Sequence, residues 1–399
     1  MDMQSKAKKL IEMIQTAPVE WKLLTEVADL TRGRVISKGY LADNLGNYPV
    51  YSSQTLNNGE IGKINSFDFD GEFVSWTTDG ANAGTVFYRS GKFSITNVCG
   101  LIKIKNILEL NYKFLFYWLS IEAKKYVYSG MGNPKLMSHQ MGKIQIPIPP
   151  LETQQRIVKI LDKFTELEAT LEAELALRKR QYQYYRDFLL DFDNQIVGGI
   201  VDGYRGRLKD VVWKTLGEVA EYPKDRICSD KLNEHNYVGV DNLLQNREGK
   251  KLSGYVPSEG KMTEYIVNDI LIGNIRPYLK KIWQADCTGG TNGDVLVIRV
   301  TDEKVNPKYL YQVLADDKFF AFNMKHAKGA KMPRGSKTAI MQYKIPIPPL
   351  SEQEKIVAIL DKFDTLTHSI SEGLPHEIAL RRKQYEYYRE QLLAFPTAA

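Results

Sequence analysis

The chain repeats itself. IPIPPLETQQRIVKILDKF at 146–164 returns as IPIPPLSEQEKIVAILDKF at 345–363, identical at 14 of 19 positions. LALRKRQYQYYRDFLLDF (175–192) is matched by IALRRKQYEYYREQLLAF (378–395), and WKLLTEVA (21–28) by WKTLGEVA (213–220). The period approaches half of the 399 residues, far beyond the roughly 20 to 50 of a solenoid repeat. Each copy is therefore a domain with an appendage, used twice.

Two textures alternate within a copy. From Trp21 to about Gln145, and again from Trp213 to about Lys344, short apolar runs such as EFVSW, GLIKI, DILI and DVLVIRV are punctuated by Gly, Asn, Asp and Ser. These runs predict short strands and turns. Each domain ends in a more helical stretch, at 111–128 and 306–325, so both are α+β. After each IPIPP the period becomes that of a long helix. With Ile157 as the first seam position, the stripe runs Ile157, Leu161, Phe164, Glu168, Leu171, Leu175, Arg178, Tyr182, Tyr185, Leu189, Phe192. The second copy gives Ile356, Leu360, Phe363, Thr367 and Ile370, gains four residues, and resumes at Leu374, Ile378, Arg381, Tyr385, Tyr388, Leu392, Phe395.

So narrow a stripe, with charges between its members, predicts a coiled-coil seam. Two such helices most simply bury each other as an antiparallel pair. Gly373 and Pro375 at the insertion predict a break and restart near 371–375, and Ser351 with Glu354 has the spacing of a capping box at the start of the second helix. At 1.5 Å per residue the stretch from Ile157 to Phe192 is roughly 54 Å long, about one and a half turns of B-DNA, which suits a ruler. Glu168 and Arg178 interrupt the first seam and are expected either to pair within it or to face a docked partner.

The expected organisation is a helical segment at 1–20, a domain at 21–150, a helix at 151–193, a Gly-rich linker at 194–212, a domain at 213–349 and a helix at 350–396. Nothing in the composition contradicts this, since 43% hydrophobic and 26% charged residues are ordinary for a globular chain. No apolar run nears the roughly 18 residues of a membrane span, and the N-terminus is charged where a secretory signal would be apolar. A cytoplasmic location is the expectation. Cys99, Cys228 and Cys287 lack paired spacing, and the five histidines never sit in metal-ligand pairs, so neither a disulfide framework nor a metal site is expected.

Net charge is +6, and its distribution says more than its size. Residues 21–150 hold 14 Lys/Arg against 10 Asp/Glu, and from Lys318 to Lys344 there are seven basic residues and no acid. Lys328, Lys331, Arg334 and Lys337 form the core of that run, and Lys135 belongs to its weaker first-copy counterpart. Glycines at 130, 132, 329 and 335 would let backbone N–H groups approach a phosphate. Base reading needs polar side chains on a rigid support. The candidates are Ser52, Ser53, Gln54, Trp76, Thr77, Thr78, Asn82 and Asn97 in the first domain. In the second they are Asp241, Asn242, Arg276, Lys280, Lys281 and Asn292. The two domains diverge most here, between segments that are nearly identical, so they would read different sequences.

Catalytic signatures are missing. No GxxxxGK[ST] loop, dinucleotide-type glycine turn or Asn-Pro-Pro-aromatic segment occurs. Asp241, Glu248 and Lys250 make a loose metal-nuclease spacing that the first copy lacks. That leaves a nuclease, and an autonomous DNA-binding regulator, as the alternatives to a DNA-reading scaffold.

The doubled IPIPPLxxQxxIVxILDKF segment, each followed by a long helix ending QYxYYRxxLLxF, resembles the DNA-specificity subunit of type I restriction–modification enzymes. The resemblance covers essentially the whole chain, and GLPHEIALRRKQYEYYRE (373–390) is its most characteristic stretch. It implies two pseudo-symmetric target-recognition domains separated by an antiparallel pair of coiled-coil spacer helices. Each domain would read half of an asymmetric bipartite site in double-stranded DNA, without catalysis by this chain. Two methyltransferase subunits would dock on it and use S-adenosylmethionine, and restriction/translocase subunits would bring ATP and Mg. No membrane partner is expected.

Overall fold

Short β-branched and aromatic runs form strands here, and turn residues set their ends. The computed structural model describes residues 3–15, 18–130, 132–192, 211–369 and 372–396. The linker expected at 194–212 lies outside the described residues apart from its last two positions. The chain divides into two units, Met1–Thr170 with Ala379–Ala399, and Leu171–Ile378.

The first unit opens with α1 (Met3–Ile14), which buries Ala7, Leu10 and Ile14. Strands β1 (Glu20–Leu23), β2 (Ala28–Arg32), β3 (Leu45–Tyr51), β4 (Glu60–Ile64), β5 (Phe69–Thr77), β6 (Val86–Ile95) and β7 (Cys99–Ile104) follow, then α2 (Tyr112–Glu122) and β8 (Gln145–Ile148). Six of the strands form one sheet in the order β2-β7-β5-β6-β3-β4, and β1 pairs with β8, setting Trp21 opposite Pro147. Asn111 caps α2 by accepting from the amides of Lys113 and Phe114. The helix presses Phe114, Leu115 and Leu119 onto Val74, Trp76, Ile102 and Ile104 of the sheet.

The second unit rebuilds this plan with different residues. It contains β9 (Val212–Thr215), β10 (Ala220–Glu221), β11 (Arg226–Cys228), β12 (Tyr237–Val238), β13 (Lys261–Tyr265), β14 (Ile270–Gly273), β15 (Ile282–Gln284), β16 (Gly289–Thr291) and β17 (Val295–Val300). Helices α4 (Pro307–Leu314) and α5 (Asp317–Lys325) and strand β18 (Lys344–Ile347) complete it, α3 being the long helix described next. The order β10-β17-β14-β15 reproduces β2-β7-β5-β6, a second sheet runs β11-β13-β16-β12, and β9 pairs with β18 with Trp213 opposite Pro346.

Helix α3 (Leu151–Leu190) is continuous for 40 residues. Its counterpart is two helices, α6 (Leu350–His368) and α7 (Gly373–Leu392), with Ser369 extended and Gly373 at φ 73°. Residues 370 and 371, at the edge of the break expected near 371–375, lie outside the described residues. In the first unit the stacked pair Phe164–Tyr388 (5.3 Å) and the ion pair Glu168–Arg382 show that α3 and α7 run antiparallel. In the second, Phe363 of α6 stacks on Tyr182 (5.9 Å) and Tyr185 (5.2 Å) of α3.

Two expectations change. Ser351 does not cap α6: the cap position is Pro349, two residues earlier, whose carbonyl accepts from the amides of Glu352 and Gln353. The anchor is Gln353, fully buried, which donates to the carbonyls of Pro348 (2.8 Å) and Lys304 (2.9 Å) and accepts from Asn306 N (2.8 Å). Gln154 repeats this with Pro149, Glu109 and Asn111. The seams also do more than bury each other. Ile157, Leu161 and Phe164 join the first domain's core with Leu392, whereas Tyr182, Leu189, Ile356 and Leu360 join the second's. Leu171 and Leu175 are only half-buried, Ile378 is buried, and Tyr385 and Tyr388 pack at the edge of the first core. Arg178 pairs with Glu174 on its own helix (2.8 Å), so the two seam charges have separate partners.

Candidate nucleic-acid interface

In the first unit three loops are tied together by hydrogen bonds. The loop after β3 closes through Ser52 N to Gly59 O (2.9 Å) and carries Ser52, Ser53 and Gln54. Asn82, in the turn between β5 and β6, donates to Ser53 O (3.2 Å), joining that turn to the loop. The same turn is joined to a third segment by Gly80 N to Pro134 O (3.0 Å), within a loop closed by reciprocal backbone bonds of Tyr128 and Lys135. Asp79 accepts from Thr78 Oγ1 (2.7 Å) and Arg32 (3.3 Å), and lies 3.8 Å from Lys135 Nζ. Asn97 is exposed in the tight β6–β7 connection, beside Thr96, whose hydroxyl donates to Ser52 Oγ (3.0 Å).

The second unit assembles the equivalent parts. The loop 328–334 is closed by reciprocal bonds between Lys328 and Arg334, and Arg276 N donates to Pro333 O (2.7 Å). Ile275 bridges Arg334 just as Asp79 bridges Lys135. Lys281 Nζ reaches Val240 O (2.6 Å) and Arg247 N reaches Lys280 O (3.0 Å), so the 240–250 loop joins the 274–281 turn. Arg334 pairs with Asp294 (2.9 Å), next to Asn292, whose Oδ1 accepts from the Asp294 amide. Backbone strain concentrates in the same loops. Of the seven non-glycine residues at positive φ among those described, Asn57, Asn58, Asn246, Arg247, Arg276 and Lys280 lie here. Left-handed backbone is costly for such residues and collects where surrounding structure enforces a functional shape.

Not every candidate side chain faces outward. Trp76 is fully buried and donates Nε1 to Leu136 O (2.9 Å), so it is core and cannot touch a base. Thr77 and Thr78 are buried too, Thr77 bonding the Asn82 carbonyl and Thr78 engaging Asp79 and Arg32. Asn242 is buried and folds its own loop through Gly239 N (2.8 Å) and Leu252 O (3.4 Å). Lys280 is held by Asp317 (2.8 Å), and burial together with nearby Arg247 lowers its pKa. Lys281 is half-buried, and desolvation lowers its pKa too.

Gln54, Asn97, Lys135, Asp241, Arg276, Lys328, Lys331, Arg334 and Lys337 are exposed, and Ser52, Ser53, Asn82 and Asn292 partly so. Arg276, Lys328, Lys331 and Lys337 have no acidic partner among the described residues, leaving a net positive surface that suits phosphate. The nuclease spacing does not converge. Glu248 pairs with Lys179 (3.6 Å), whereas Lys250 donates to His235 O (2.6 Å) and sits over Trp283. No helix among the described residues is long and apolar enough to cross a membrane.

Both copies of this frame match one family model, the type I restriction modification DNA specificity domain, at residues 18–177 and 209–380. The chain belongs to that family. It is 34% identical over 370 residues to S.MpnORF507P of Mycoplasma pneumoniae, named as a type I specificity subunit, covering 92% of this chain and 96% of that one. It is 43% identical over 179 residues to the MpnII specificity subunit of the same organism, covering 44% and 54%. The fold is shared with the S subunit of a type I restriction–modification system from M. genitalium, with TM-score 0.60, 16% identity and coverage of 96% and 98%. A chain from work on complex assembly and conformational transition of the type I R-M system gives TM-score 0.52, 15% identity and coverage of 95% and 98%. As a specificity subunit, this chain is the DNA-reading, non-catalytic member of a multisubunit system.

Proposed function

We propose that each recognition domain reads one half of an asymmetric, bipartite sequence in double-stranded DNA, using the two loop clusters described above. The observation that carries this is a shared frame with unshared loops: the same backbone ties join β5 to the 128–135 loop and β14 to the 328–334 loop, yet the exposed residues differ. Positive loops position the protein on phosphates, and the neighbouring polar residues read base edges. The helices hold the half-sites apart and offer the near-identical segments of the two copies to two methyltransferase subunits. Those subunits flip adenines out of the duplex and methylate them from S-adenosylmethionine. Restriction/translocase subunits add ATP- and Mg-dependent work, all of it in the cytoplasm. The test is a genome-wide map of methylated adenines in cells with and without this gene. Loss of one asymmetric bipartite motif on deletion is expected, and an unchanged map would overturn the proposal.

A further inference from the structure

We infer that Arg89 is a positioning residue that fixes the reading loop of the first recognition domain from beneath, and that Arg247 serves the second domain in the same way from an unrelated position. This rests on the proposed reading of the loops and adds the residues that give them their shape.

Arg89 lies on β6 with 3% of its surface exposed. Its Nε donates to Ser75 Oγ (3.0 Å) on β5, its Nη1 donates to the carbonyl of Asn58 (2.8 Å), and its guanidinium lies 3.6 Å from the centre of the Tyr51 ring and 4.5 Å from that of Phe87. No carboxylate pairs with it among the described residues. Burial pulls its pKa down to about 10, so it still carries a charge at neutral pH. Burying a cation without an acid is costly, and an apolar side chain would fill the place more cheaply, so stability alone gives no reason for an arginine.

What the arginine holds is the crest of the loop. Asn57 and Asn58 are left-handed (φ 50° and 53°) and Gly59 follows at φ 81°, a bend that the free chain does not favour. Ser52, Ser53 and Gln54 occupy the other limb, closed against the crest by Ser52 N to Gly59 O (2.9 Å). Grip on the Asn58 carbonyl therefore sets where those three side chains stand. A lysine keeps the charge but has no planar fork to bond both sides while stacking on Tyr51.

Arg247 works from within its own loop. Asn246 and Arg247 are left-handed (φ 55° and 67°), and the Arg247 side chain leaves the loop to donate Nε to the Ala315 carbonyl at the end of α4 and to form an ion pair with Asp317 at the start of α5. Asp317 also holds Lys280 (2.8 Å), so one carboxylate locks the 245–249 loop to the 276–280 turn.

The test uses the complete assembly of this subunit with its methyltransferase partners. The probes are duplexes carrying the bipartite motif found by methylation mapping, and variants with single substitutions in either half. R89K is expected to lower discrimination against substitutions in one half-site by about tenfold, leaving the other half-site and the slope of log affinity against log salt unchanged. S75A, which removes one of the two hydrogen bonds, should produce a smaller loss in the same half-site, and supplies the test should R89K not fold. R247K should affect the opposite half-site alone. Unchanged discrimination, or equal loss in both halves, overturns the inference. So does a salt slope reduced by about one, which would mean direct phosphate contact. A wild-type assembly without bipartite preference would instead reject the reading on which the inference rests.

Discussion

Gln154 and Gln353 show how much one side chain can decide. Each is fully buried at the start of a long helix, and each uses its whole amide to join the helix to its domain. Q353L keeps the volume but strands two carbonyls and one N–H, and is expected to cost about 2–4 kcal/mol in urea or thermal unfolding. Q154L should cost a similar amount, and a negligible loss in either would show that water replaces the amide. Both glutamines stand in the repeated segment, so they were visible as identical positions, but no pattern of polarity tells a buried amide from an exposed one. The same blindness misplaced Trp76, Thr77, Thr78 and Asn242 among the DNA readers. Polar residues beside turns often satisfy the backbone of those turns, and here they do. Arg89 and Arg247 were missed for the converse reason, since a single arginine in a strand or loop looks solvated until its environment is known.

At the level of elements the helices were the most legible part, because a stripe spaced by three and four residues admits little else. What the stripe could not tell is what each seam residue faces. Phe164 is 1% exposed and belongs to a core that includes Ile157, Leu161, Phe114 and Leu392, whereas Phe363 at the matching position is only half-buried between Tyr182 and Tyr185. Equal positions in the repeat therefore carry unequal energy. F164A is expected to destabilise by about 3–5 kcal/mol and F363A by about 1–2 kcal/mol, read from denaturant midpoints of the two variants. Equal losses would mean that the seam buries both rings alike. The interrupted second helix was also readable, because Gly373 and Pro375 stand where its register gains four residues.

For the whole molecule, duplication explains both the near-identity and the divergence. Segments that build the frame are constrained by packing: the QYxYYR tail of the first repeat lies in the core of the second domain, and Leu392, Leu393 and Phe395 of the second repeat lie in the core of the first. Loops on that frame are free to differ, which is why the reading surfaces could not be aligned from sequence. Module exchange tests this division of labour. Replacing residues 21–145 with the corresponding segment of another specificity subunit should change one half of the methylated motif and leave the other half and the spacing intact. The graft must also respect α2, since Phe114 and Trp118 meet Phe395 at 5.9 and 6.3 Å. A graft that keeps Phe114 and Trp118 should fold with a near-native melting temperature. One that replaces both by small residues should lose stability by several kcal/mol, as large-to-small changes in a core do. A motif altered in both halves by either graft would mean that the recognition domains do not read independently.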